Sequence, residues 1–214
     1  MNTNAASIYP SRSEAEAILL WAQAQNPGPW ISHCRNAARA AETIATHCGM
    51  DTNRAYASGL LHDIGYYANA DRSGKVCHVY AGYALMMERG YPTIADICLS
   101  HSFPIQNIHS YTGSQITNDE NERAIIKKYL AEAEYDDYHK LTQLCDGIGG
   151  PQGLCTLEQR LVDAHRRHGL DSINTYTFKK WDAYFALKEY FDAKCDCNVY
   201  DLFRDEIAGG IFGH

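Results

Sequence analysis

The chain has 214 residues, of which 45% are hydrophobic and 21% charged, and this composition fits a globular protein of one domain. Its net charge of −7, with no basic stripe to offset it, argues against polymeric nucleic acid as a partner. No apolar stretch reaches the roughly 20 residues that a membrane span needs. The first residues also lack the charged and apolar regions of a secretory signal. We therefore expect a cytoplasmic protein with no membrane partner.

Helix start and stop signals recur along the chain and predict an all-α fold of roughly nine helices. Ser11 with Glu14 has the spacing of a capping box, Asp51 is placed to cap a helix, and Thr156 with Gln159 repeats the box. No convincing run of alternating strand residues interrupts them. In chain order, the main helical stretches are AEAILLWAQAQ, ISHCRNAARAAETIATHCG, TNRAYASGLLHDIG, HVYAGYALMMERG, TIADICLSHS, NERAIIKKYLAEAE, DDYHKLTQLCDGIGG, LEQRLVDAHRRHG, FKKWDAYFALKEYFDAK and VYDLFRDEIA.

The organisation of the chain is predicted to be a single domain over 1–214. Its core would span about 30–150, and a helical extension would follow over about 151–208. Residues 102–118 are rich in Ser, Thr and Asn and predict a long loop of the kind that is often functional.

The eight cysteines are expected to be reduced. Five of them, at positions 34, 48, 77, 98 and 145, fall inside apolar helical patterns, where a free thiol packs as a small hydrophobe. Without a secretory signal, a disulfide framework is disfavoured. The C-x-C pair in KCDCN, at 194–198, has no second pair to complete a zinc or redox site.

Polar side chains occur at the ends of several predicted helices, at positions where the helical periodicity predicts an apolar residue. Because the ends of bundled helices converge, such residues can share one pocket. Imidazole nitrogens and carboxylate oxygens together suit Fe, Mn, Zn, Ni or Co, and one carboxylate has two oxygens with which to bridge two ions. The six candidates are His33, His62, Asp63, His78, His101 and Asp146.

This arrangement resembles the HD superfamily of metal-dependent phosphohydrolases. The resemblance rests on His33, on the doublet His62–Asp63 in LLHDIG, and on Asp146 in LCDGIGG. It implies an all-α helical bundle in which these four residues hold a first divalent ion. The extra histidines in HVYAGYALM and LSHSF are similar to those of a subgroup with a second ion, which Asp63, His78 and His101 would hold.

The resemblance further implies an enzyme in which His62 and Asp63 are catalytic. The implied cofactor is one or two divalent transition metal ions per chain. The expected substrate is a small phosphorylated molecule, such as a nucleotide or another phosphoester. A rival hypothesis is a di-iron oxygenase, because some HD-fold proteins use the same ligand set for oxygen chemistry. A third is a binding module that keeps the site without turnover.

Two positions depart from the family pattern. Tyr66 stands where many members have lysine, and Asn36 stands where many have arginine. Those basic residues often assist phosphate binding, and this chain lacks them at both positions. Arg35, Lys75 and His109 are the candidates for substrate binding.

Two further stretches have competing interpretations. The loop 102–118 follows His101 directly and carries no Lys or Arg, so neutral donors and His109 would contact a substrate at the pocket mouth. The aromatic stretch 181–191 has helical spacing, which is typical of core packing or of a contact in a homodimer rather than of a substrate site.

Overall fold

A computed structural model describes residues 8–69, 76–112, 116–169 and 173–212. Over these residues the protein is all-α, as predicted, with ten α-helices and a single short hairpin. The helices are α1 (Arg12–Gln25), α2 (Pro29–His47), α3 (Thr52–Leu61), α4 (His78–Glu88), α5 (Pro92–Ser100), α6 (Glu120–Glu132), α7 (Asp137–Ile148), α8 (Leu157–His168), α9 (Thr177–Cys195) and α10 (Arg204–Phe212). The hairpin pairs β1 (Gly149–Gly150) with β2 (Gly153–Leu154).

Three predicted helix starts are confirmed by their hydrogen bonds. Ser11 and Glu14 form the capping box that opens α1, and Thr156 and Gln159 form the box that opens α8. The Asp51 carboxylate accepts from two backbone amides at the start of α3. Each such cap contributes about 1 kcal/mol to stability and fixes the residue at which the helix begins.

The alanine-rich helix α2 lies at the centre of the fold. One of its faces, with Ala37 and Ala41, packs in a cluster with α7, α8 and α9. Another face, with Cys34 and Ala38, packs in a cluster with α1, α3 and α5. Small side chains on both faces let the neighbouring helices approach closely, which brings their ends to the start of α2.

The helices after residue 150 share the core of the preceding ones. Tyr184 and Phe191 of α9, with Ile207 of α10, are buried in the same cluster as Leu144 and Ile148 of α7. Burying one side chain of this size contributes about 1.5–3 kcal/mol.

Within the described ranges, no helix combines the length and apolar character that a membrane crossing requires.

The loop 102–118 has local order in its described part. A 3₁₀ turn occupies Ile108–Ser110, and the Gln106 amide donates to the carbonyl of Ala133, 2.6 Å away. The Tyr135 hydroxyl donates to the carbonyl of Phe103 at 3.2 Å. These bonds tie the segment to the end of α6 and hold it near the end of α5.

The expectation that all the cysteines are reduced is wrong for one pair. Cys48, just past the end of α2, forms a disulfide with Cys195, the last residue of α9, and their Cα atoms are 4.8 Å apart. Packing of α2 against α9 brings the two thiols together across a separation of 147 residues, which no local pattern reveals. Cys34, Cys77, Cys98 and Cys145 are free and buried, as predicted.

We expect Cys195→Ser to lower the free energy of unfolding by about 2–4 kcal/mol, since the crosslink restricts the unfolded chain. Urea denaturation under non-reducing conditions measures the change. Cys197→Ser is the matched control, because that thiol is free and partly exposed. A wild-type midpoint that does not move when a reductant is added would contradict the prediction.

Candidate metal centre

The six candidate residues lie at or next to the ends of five helices. His33 lies near the start of α2, and His78 is the first residue of α4. His62 and His101 are the C-caps of α3 and α5, and Asp63 directly follows His62. Asp146 lies in the last turn of α7.

Four of these residues form a first group of donor atoms. Nε2 of His33 lies 3.0 Å from Nε2 of His62, 3.1 Å from Oδ1 of Asp146 and 3.6 Å from Oδ2 of Asp63. Nε2 of His62 lies 3.7 Å from Oδ2 of Asp63 and 3.8 Å from Oδ1 of Asp146. Atoms that share an ion at bonds of about 2.0–2.1 Å stand about 3.0–3.4 Å apart. The group therefore fits one ion after small adjustments.

The second group contains the other oxygen of the same carboxylate. Oδ1 of Asp63 lies 3.1 Å from Nε2 of His101 and 3.4 Å from Nε2 of His78. Asp63 thus points one oxygen at each group of histidines. This is the geometry of a carboxylate that can bridge two ions.

Backbone carbonyls fix the tautomers of three of the histidines. Nδ1 of His62 lies 2.8 Å from the carbonyl oxygen of Gly59, and Nδ1 of His101 lies 2.9 Å from that of Cys98. Nδ1 of His33 contacts the carbonyl oxygen of Gly149. A carbonyl only accepts, so each Nδ1 carries the proton, and each Nε2 has its lone pair directed into the cluster. Metal-ligating histidines are oriented in this way.

The packing of these nitrogens tests whether a cation fits. If Nδ1 carries the proton in both His33 and His62, two Nε2 lone pairs meet at 3.0 Å with both rings buried. Two lone pairs repel unless a proton or a metal ion lies between them. A donor set of imidazoles and carboxylates binds transition metal ions in preference to alkali or alkaline-earth ions.

The electrostatics favour cation binding at two of the histidines and at both carboxylates, whereas the pKa of His33 and that of His101 are raised, against the effect of burial, by Asp146 and Asp63. Burial lowers the pKa of His62 and of His78 to about 4, so both rings are neutral at pH 7. Burial alone would raise the pKa of Asp63, but its interactions with the imidazoles of His62 and His101 hold it well below its usual value. Burial also opposes the ionisation of Asp146, whose pKa is nonetheless lowered by its interaction with the imidazole of His33. Both carboxylates are therefore charged.

A third group of possible ligands includes the thiol of Cys34 beside His62 and Asp63. Burial raises the pKa of this thiol well above its usual value. The free thiol is buried in the core cluster beside Ala38, as expected from its position next to His33.

The glycine of LLHDIG permits a close helix approach. A Cβ atom at Gly65 would lie 1.8 Å from the carbonyl oxygen of His78. The next residue, Tyr66, stacks its ring on the imidazole of His78 with centroids 4.4 Å apart. The position that holds lysine in many relatives thus holds a ring that orients His78.

We expect Gly65→Ala to destabilise the fold by about 3 kcal/mol, because the added methyl group must push the start of α4 away. It should also lower the metal content by displacing His78. Thermal unfolding and elemental analysis measure the two effects. Gly209→Ala, in a helix with open space around the position, is the control and should be neutral or stabilising. Equal behaviour of the two variants would contradict this account.

The second departure from the family pattern also has a structural role. The side-chain amide of Asn36 donates to the carbonyl of Gly150 at 2.7 Å. His33 contacts the preceding residue of the hairpin, Gly149. The hairpin after α7 therefore braces the start of α2, close to Asp146.

A pocket of about 200 Å³ opens onto the cluster. One part of its lining is His33, Asp63, His78, His101 and Asp146. The loop 102–118 contributes Ser102, Ser110, Tyr111 and Thr112, as predicted for a segment at the pocket mouth. The helices α8 and α9 add Arg160, Arg167, Lys180, Trp181 and Tyr184. None of these last five residues was predicted to line the pocket.

The three predicted substrate-binding residues lie elsewhere or are not described. The guanidinium of Arg35 forms an ion pair with Glu16 at 2.8 Å, and Arg35 does not line the pocket. His109 is exposed on the 3₁₀ turn and does not line it either. Lys75 lies outside the described residues.

Comparison with known proteins agrees with the geometry. A family model, HD domain, matches residues 30–148. Over 92 residues the chain is 33% identical to Ribonuclease Y of Opitutus terrae, a match that covers 42% of this chain and 17% of that protein. The chain thus spans only a small part of this curated relative. No solved structure matches at a significant level.

Proposed function

This chain belongs to the HD domain family, and we propose that it is a metal-dependent phosphohydrolase acting on a small phosphorylated substrate. The observation that carries the proposal is Asp63, whose two oxygens point at two separate groups of histidines. In this proposal His33, His62, Asp63 and Asp146 hold a first ion. Asp63, His78 and His101 hold a second.

The chemistry of such a centre suits phosphoester hydrolysis. A bound divalent ion lowers the pKa of water toward 7 and offsets charge that builds on the phosphoryl oxygens. His62 and Asp63 serve catalysis by fixing the centre, because both are almost fully buried and point their donor atoms into it. The Nδ1 bonds of His62 and His101 to backbone carbonyls keep these rings from turning away.

The size of the pocket supports a small substrate. A cavity of about 200 Å³ has room for a phosphate group and a modest leaving group. The loop residues Tyr111 and Thr112 form one part of the pocket lining, and Trp181 and Tyr184 of α9 form another. A polymer would need an open groove, and the net charge of −7 gives it no long-range attraction.

The test is a substrate screen of metal-loaded protein. Mononucleotides, cyclic nucleotides and other small phosphoesters are assayed for released phosphate, beside single-stranded RNA because one relative is a ribonuclease. We expect turnover of a small phosphoester, with Asp63→Ala inactive. Cleavage of RNA without turnover of any small phosphoester would overturn the substrate class. Oxygen-dependent loss of a substrate, with two irons per chain and no phosphate released, would favour the di-iron oxygenase.

A further inference from the structure

The pocket takes its positive charge from the helices that follow the matched family region. Within the described residues, the Lys and Arg side chains that line it are Arg160 and Arg167 of α8 and Lys180 of α9. All three lie beyond residue 148, where the family match ends. Arg167 is half exposed and pairs with Asp163 at 2.8 Å, so it belongs to the rim.

Lys180 differs from the other two in its burial and its partner. Its residue is only 7% exposed. Its ammonium donates to the hydroxyl of Thr112, 3.0 Å away. Throughout the described ranges, no carboxylate lies within ion-pair distance of it, although the charge of Asp146 acts on it. An ammonium has three N–H donors, and the one that reaches Thr112 meets a neutral hydroxyl, so none of the three has an anionic acceptor among the described residues.

A buried charge without a counter-ion is costly, and proteins pair such groups or neutralise them. Burial lowers the pKa of Lys180 to about 8, while Asp146 opposes this shift. The side chain therefore keeps its charge at pH 7 in the absence of a paired anion. An apolar residue at this position of α9 would pack without that cost, so the ammonium is placed for a ligand.

We propose that Lys180, together with Thr112 and Arg160, forms an anion subsite that binds a phosphate oxygen of the substrate. The subsite rests on the proposed function for the identity of the anion, which is the substrate's phosphate. Lys180 supplies two N–H donors and a positive charge, and Thr112 fixes the direction of the ammonium. Arg160, whose side chain is 19% exposed and lies 4.0 Å from the carboxylate of Asp163, adds a planar donor from α8. In this proposal, the helices α8 and α9 thus give the pocket its preference for an oxyanion.

Inorganic phosphate is the probe, and its affinity for metal-loaded protein is measured by titration calorimetry. Lys180→Met keeps the length and the apolar stem of the side chain while removing the charge. We expect it to weaken phosphate binding by about 10- to 100-fold, the loss of a charge-assisted hydrogen bond in a buried site. The metal content should equal that of wild type, because Lys180 is not among the donor groups.

Two variants serve as controls. Lys179→Met removes the same charge one residue away, where the side chain is exposed, and should leave phosphate affinity unchanged. Lys180→Arg keeps a cation and should restore a large part of the affinity. If Lys180→Met does not fold, Lys180→Gln replaces it. The NMR resonance of the Lys180 ammonium can also be followed in wild-type protein, so this measurement does not depend on whether a variant folds. Addition of phosphate should shift the resonance.

The outcomes separate this subsite from the proposed reaction. Unchanged phosphate affinity in the folded, metal-loaded Lys180→Met protein, or an unmoved ammonium resonance, would overturn the subsite even if the wild type hydrolyses phosphoesters. A Lys180-dependent affinity in a protein that releases no phosphate from any substrate would keep the subsite and overturn the hydrolase.

Discussion

Asp63→Ala should lose its bound metal and its turnover while the helices stay folded. Among the described residues, Asp63 is the one carboxylate whose two oxygens point at both sets of histidines, at 3.1–3.7 Å from four ring nitrogens. Removing a residue that merely orients a ligand lowers metal affinity or activity by about 10–100-fold. Removing a ligand that bridges both ions should lower them further. Elemental analysis and the phosphate-release assay measure the two losses.

The matched control is Asp96→Ala. Asp96 is a half-buried aspartate on α5 that is not part of any donor group. We expect the control to keep its metal and its activity. Because α3 and α5 are held by apolar burial, circular dichroism should show both variants folded. Full metal content and wild-type turnover in Asp63→Ala would remove the basis for a bridged centre.

The sequence predicts the helices and the cluster well because their signals are local. A cap and its partner lie three residues apart, and Ser11 with Glu14 forms the predicted box. The doublet His62–Asp63 stands out because both residues end an apolar run. Helix ends in a bundle converge, so polar residues at such ends are brought together, and the structure does bring the six candidates into one cluster. Their role as ligands stays a proposal.

Contacts between distant segments could not be predicted in the same way. Cys48 and Cys195 are 147 residues apart, and only the packing of α2 on α9 joins them. Arg35 looked suitable because it is close to His33 in sequence, yet successive helical residues point about 100° apart. Its guanidinium therefore reaches Glu16 on α1 instead of the pocket.

The aromatic stretch 181–191 shows where a pattern was interpreted too narrowly. Phe191 packs in the core, as predicted, while Trp181 and Tyr184 also line the pocket. A signal for Lys180 was present, because Thr177, Lys180, Tyr184 and Phe191 are the buried residues of α9 and follow helical spacing. A lysine within a buried stripe indicates a functional site, since apolar residues are otherwise favoured there.

Removing the metal should lower the melting temperature by about 8–16 °C. Ligands on five helices would be tied together by the centre, and this link between the helix ends is lost when the metal is removed. A ligand at about 1,000 times its Kd stabilises the folded state by about 4 kcal/mol. In a chain of this size each kcal/mol corresponds to about 2–4 °C. Calorimetry of metal-loaded protein, before and after dialysis against a chelator, measures the shift.

The measurement must separate the metal from the disulfide, which also joins α2 to the C-terminal helices. Chelation is therefore carried out without a reductant, so that Cys48–Cys195 stays intact. The Asp63→Ala variant should show no shift on chelation, because it starts without bound metal. Adding back the divalent ion should restore the wild-type melting temperature. A loaded wild type whose melting temperature does not change on chelation would show that the cluster does not tie the helix ends together through a metal.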